Sequence, residues 1–117
     1  MSRVSLDHLP LLDVPTFLAA SKNLSYRSIT LMRAKATAEV FVEHGISSTN
    51  LVERYQARPE AFRVVYGDLS DTGMEFVRMH YDPWLASSDR WKGEISFDRL
   101  KSALELRWTT FTEGRAA

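Results

Sequence analysis

Cysteine is absent from the 117-residue chain, which excludes a disulfide framework, thiolate catalysis and thiolate-ligated zinc or iron–sulfur centres. The five glycines are scattered and form no phosphate-binding loop, and no serine stands in a Gly-x-Ser-x-Gly elbow. No apolar run is long enough for the central region of a signal peptide or for a membrane span. A cytoplasmic location without a membrane partner is therefore the expectation. Neither sign of charge is in excess, because 15 Lys plus Arg balance 15 Asp plus Glu. No global field would steer the molecule to nucleic acid or to an anionic membrane, so such a partner would need a local patch.

What is present describes one ordinary globular domain, with 44% hydrophobic and 26% charged residues at a length that supports a single core. Apolar residues recur at helical rather than strand spacing. The expected fold is all-α: a compact single-domain bundle of four to five helices, with a kinked helix at Pro83 and a short strand as the alternative near residues 62–66. Residues 1–12 read as an extended arm packed on the domain through Leu9, Leu11 and Leu12. Residues 13–112 read as the helical domain and 113–117 as a frayed tail.

Capping residues place the elements. Asp13 followed by Pro15 opens a short helix that should stop near Asn23. Ser25 and Gly45 frame the next helix, in which Tyr26, Ile29, Met32, Ala36 and Val40 share one face while Leu31, Ala34, Ala38, Phe41 and Val42 share the opposite one. A helix apolar on two faces belongs between neighbours, at the centre of a bundle. Asn50 and Glu53 match a capping box, and Ser70 or Thr72 starts a further helix. Ser96 precedes the last, whose Phe97, Leu100, Leu104, Trp108 and Phe111 form one stripe.

The segment MHYDPWLASSDRW, residues 79–91, concentrates aromatic and polar groups. Counting back from Trp91 gives Ser88, Trp84, Tyr81, Val77 and Met74 at steps of three or four, one face of a helix, so the aromatics are expected to pack inward. The competing reading is an aromatic pocket beside Tyr81 and Trp84 with His80 at its mouth. His80 and Asp82 form only a His-x-Asp pair, whose members diverge on a helix, and Asp89 lies further on; no metal is expected. His8 and His44 occur singly. Glu39 and Glu43 read as a solvated helix edge rather than a catalytic carboxylate pair.

Two surface features remain. Between Val14 and Ala38 no acidic residue occurs, while Lys22, Arg27, Arg33 and Lys35 could meet phosphate or an acidic partner. On a helix these cations diverge rather than form a stripe. Leu106 faces away from the apolar stripe of the last helix and marks a contact surface. By exclusion, the expected function is stoichiometric binding of another protein, as an adaptor or inhibitor. A bacterial toxin-neutralising immunity or antitoxin protein fits that class on size alone. His80, Tyr81, Trp84 and Leu106 are the candidate contacts, no cofactor is expected, and catalysis is the less favoured reading. The alternatives are a nucleic-acid-binding regulator using residues 14–38, and a small-molecule sensor or enzyme with a pocket near Tyr81 and Trp84. Homo-oligomerisation is compatible with all three.

Overall fold

The computed structural model describes residues 9–20, 23–88, 90, 91 and 93–116. Strand β1 (Pro10–Asp13) pairs antiparallel with β2 (Arg63–Val65), in the register Pro10 to Val65, Leu12 to Val64 and Asp13 to Arg63. Pro10 has no N–H to give and sits at the start of its strand, where that lack is tolerated. Across the pair the Arg63 guanidinium reaches Asp13 at 3.1 Å. The strand anticipated near residues 62–66 is thus present, and its partner is the N-terminal arm. The part of that arm before Leu9 lies outside the described residues.

The Thr16 amide donates to Asp13 Oδ1 at 3.3 Å, and Pro15 falls in the first turn of helix α1 (Val14–Ala20), where no intrahelical donor is required. Helix α2 (Leu24–Glu43) is capped by Asn23, whose Oδ1 accepts from the Tyr26 amide, and not by Ser25 as the sequence reading had it. It packs against α1, against helix α3 (Leu51–Ala57) and against the last helix, the central position its two apolar faces require. Asn50 caps α3 through the Glu53 amide at 3.1 Å. Asp68 pins the following turn: it accepts from both terminal nitrogens of Arg54 at 2.7 and 3.0 Å and from the Val65 amide at 3.0 Å. Burial works to raise the pKa of this carboxyl, but the bonds from Arg54 and Val65 overcome it and hold the group below the usual carboxylate range.

Residues 71–88 form a continuous helical rod. Helix α4 (Asp71–Phe76) starts at Ser70, which accepts from the Gly73 amide at 3.0 Å. A wide π-helical turn follows (Val77–Tyr81), and then helix α5 (Asp82–Ser88). Pro83 explains the wide turn. Within an α-helix its ring would crowd the carbonyl of Met79 and remove that bond, and the irregularity expected at Pro83 takes the form of one looser turn just before it. Gly73 is where α4 crosses the loop after α2, since a Cβ there would stand 2.0 Å from the Ile46 carbonyl oxygen. Helix α6 (Phe97–Ala116) is capped by Ser96, whose Oγ accepts from the Arg99 amide at 3.2 Å. It runs to Ala116, and in its last turn Arg115 pairs with Glu75 of α4 and lies over the Phe111 ring; residue 117 of the expected tail lies outside the described residues. Among the described residues no helix is long and apolar enough to cross a membrane.

Candidate functional site

The rod has an inward and an outward side, and the sequence-predicted residues divide between them. Tyr81 and Trp84 point inward and are fully buried. The Trp84 indole N–H donates to the Leu100 carbonyl at 3.2 Å, tying the rod to α6. The Thr37 hydroxyl has one proton, and it goes to the Arg33 carbonyl at 2.9 Å. The Tyr81 hydroxyl therefore donates to Thr37 Oγ1 across 2.8 Å. Burial pushes the Tyr81 phenol far above its ordinary pKa, so it remains a neutral donor. These two aromatics, named as contact candidates, instead spend their surface on the core.

The helix that carries the expected stripe ends before Trp91, which still packs against the core. Helix α5 stops at Ser88, and Trp91 is half-buried beyond it, with the Arg99 guanidinium 4.3 Å from its ring centre. The chain turns at Gly93, whose φ of 87° is a conformation that only glycine adopts without strain.

His80 lies in the wide turn, its ring stacked on Phe76 at 5.5 Å and edge-on to Phe111 at 5.9 Å. Its Nδ1 is buried with no hydrogen-bond partner. Burial, reinforced by Arg107, lowers its pKa and keeps the ring neutral. Beside it Met79 is 62% exposed. A groove of about 430 Å³ runs between the wide turn and the end of α6, lined by Glu75, Met79, His80, Thr110, Phe111, Gly114 and Arg115.

Leu106, 66% exposed, is one helical turn before Thr110 on the same face of α6. The hydroxyls of Thr109 and Thr110 donate to the carbonyls of Glu105 and Leu106 at 3.1 and 3.0 Å. With those hydroxyls committed to their own helix, the methyl groups are the part left for a partner to meet. His80 and Leu106 thus belong to one neighbourhood, bridged by Thr110. Met79 and the threonines were not singled out from the sequence, although Leu106, Thr109 and Thr110 at steps of three and four carried the signal.

The acid-free segment is put to other uses. Arg27 donates to the Leu18 carbonyl at 3.1 Å, Arg33 is only 8% exposed, and the Lys35 ammonium sits 4.6 Å from the Phe97 ring centre. Lys22 lies outside the described residues, as do His8 and Asp89. Glu39 and Glu43 are not merely solvated, since Lys101 of α6 bridges them with 3.0 Å contacts to each. Those hydrogen bonds raise the pKa of the lysine. Glu43, His44 and Glu105 bring potential metal-ligand atoms within 4.8 Å of one another, and the His44 ring stacks on Trp108 at 5.6 Å. No family model, curated protein or solved structure matches the chain.

Proposed function

We propose that the protein is a stoichiometric protein-binding domain, of adaptor or inhibitor type, whose contact surface is the outer face of α6 together with the exposed side of the wide turn. The observation that carries this reading is the exposure of Met79 and Leu106, two large apolar side chains left in water, the first sharing a groove with Thr110 and the second one turn before it, with the hydroxyls of Thr109 and Thr110 turned back onto the helix. A partner would cover the methyls and Leu106 and insert an apolar side chain into the groove at Met79, with the Glu75–Arg115 pair as a polar rim. Bacterial immunity and antitoxin proteins fall within this class, a choice resting on size, and the expected setting is the cytoplasm.

Capture with the immobilised full chain tests the proposal. One partner, another protein or a second copy of this chain, should be recovered at a fixed ratio that survives moderate salt. Recovery should be lost from a Met79→Glu/Leu106→Glu variant whose circular dichroism is unchanged. Absence of any fixed-ratio partner, or equal capture by the variant, would contradict it.

A further inference from the structure

Lys101, Glu105 and Trp108 follow one another at steps of four and three on α6, which places them on one face of that helix. This face meets the C-terminal end of α2. Lys101 reaches Glu39 and Glu43 there, and the His44 ring stacks on Trp108 with centroids 5.6 Å apart and planes 28° from parallel. The stack holds the imidazole beside the turn that carries Glu105. Glu43, His44 and Glu105 thereby bring one donor atom each within 4.8 Å of one another. Binding of a partner through Met79 and Leu106 makes no use of this cluster.

Its chemistry is that of a metal site. Two carboxylates neutralise a divalent ion, and an imidazole nitrogen favours a transition metal over Mg²⁺ or Ca²⁺, which prefer shells of oxygen alone. Zinc holds such donors at about 2.0–2.2 Å, so two donors on one tetrahedral ion stand roughly 3.5 Å apart. Closing the cluster to that spacing asks for a movement of about 1 Å, within reach of the exposed Glu43 side chain.

The donors have little to give up. Among the described residues neither the His44 ring nor the Glu105 carboxylate makes a hydrogen bond or an ion pair. Glu43 does have a partner, Lys101, but the contact is to Oε1 alone, and the same ammonium also donates to Glu39 at 3.0 Å. A metal ion that takes Glu43 therefore leaves the lysine paired. Helix α2 ends at Glu43, and the partial negative charge of a helix C-terminus adds a fixed attraction for a cation.

We propose that Glu43, His44 and Glu105 form a surface site for Zn²⁺, with water completing the tetrahedral shell. Two donors come from the end of α2 and one from α6, so the ion clasps together helices that already pack. Lys101 competes with the ion for Glu43 and so sets the affinity.

The test is calorimetric titration of the full chain, free of any polyhistidine tag, with zinc chloride, in parallel with the imidazole resonances of its three histidines. One equivalent should bind, with the His44 resonances shifting and those of His80 unmoved, and the urea unfolding midpoint should rise with zinc. Magnesium and calcium chloride should bind at least about tenfold more weakly. His44→Gln and Glu105→Gln each remove a donor. Groups that merely orient a metal ligand are worth about 10–100-fold in affinity, so either variant should bind at least about tenfold more weakly. Lys101→Met removes the competing charge and should tighten binding about fivefold, a gain that damage to the fold would not produce. Circular dichroism checks that the variants keep their helices. The proposal is overturned by a titration without saturable binding, by shifts at His8 or His80 in place of His44, or by magnesium or calcium matching zinc. Undiminished affinity in His44→Gln or Glu105→Gln would also overturn it, as would a Lys101→Met chain that binds no more tightly.

Discussion

The inward and outward sides of the rod are built from similar material and behave oppositely. Tyr81 and Trp84 turn inward, and each polar tip finds a partner, Thr37 for the phenol and the Leu100 carbonyl for the indole. Met79 and His80, their neighbours in sequence, turn outward or half outward, and the histidine keeps a buried nitrogen without a partner. Apolar character therefore does not decide which side of a helix becomes core. The core is the side on which every polar atom that is dragged in can be satisfied. The side with an unsatisfied atom and exposed methionine is the one available for other work.

Substitutions should reproduce the contrast. Trp84→Ala removes a fully buried indole and its bond to α6 and should cost about 3–5 kcal/mol, measured as the shift in urea unfolding midpoint. A loss under about 1 kcal/mol would mean that the inward side is not sealed. Gly73→Ala comes next: its Cβ would overlap the Ile46 carbonyl, and forcing α4 off the loop should cost about 1–3 kcal/mol by the same assay.

His80 gives a smaller effect with a definite sign. Its folded-state pKa is below the ordinary histidine value, with burial as the main cause. Its neutral form is therefore favoured in the folded chain, and the unfolded chain binds the proton more readily. Stability from this group is fully present above about pH 6.5 and is lost as pH falls through the lower folded value. Unfolding measured between neutral and mildly acidic pH should show this loss, and His80→Phe should remove that part of it; an unchanged profile in the variant would assign the loss elsewhere. Leu106→Glu is the smallest, within about 0.5 kcal/mol for an exposed site with no packing to lose. A larger loss would place Leu106 in the core and remove it from the contact face.

Much of the fold was legible because caps and breakers act locally. Asp13, Asn50, Ser70 and Ser96 all start helices where their side chains predict, and the inward stripe from Val77 to Trp84 follows from spacing alone. Arg33 and Thr37 were not legible as buried residues. Hydropathy scores each residue singly, whereas their partners Ser88 and Tyr81 lie 55 and 44 residues away. Thr30, Arg33 and Thr37 stand at steps of three and four in a helix apolar on its other faces, which is a local sign of a polar seam. The pairing of Arg115 was illegible for the same reason, because its partner Glu75 belongs to another element. For the contact face, Leu106 stood out by periodicity, but its link to His80 required knowing that α6 lies against the wide turn.

The division of the rod is tested most directly by a chain in which Trp91 and Trp108 are replaced by phenylalanine, leaving Trp84 as the sole indole. Iodide should leave the fluorescence of the folded protein almost unquenched, and quenching should rise to that of a free indole when urea unfolds it. Quenching of the folded chain equal to that of the unfolded one would place Trp84 at the surface and contradict the assignment of the inward side to the core.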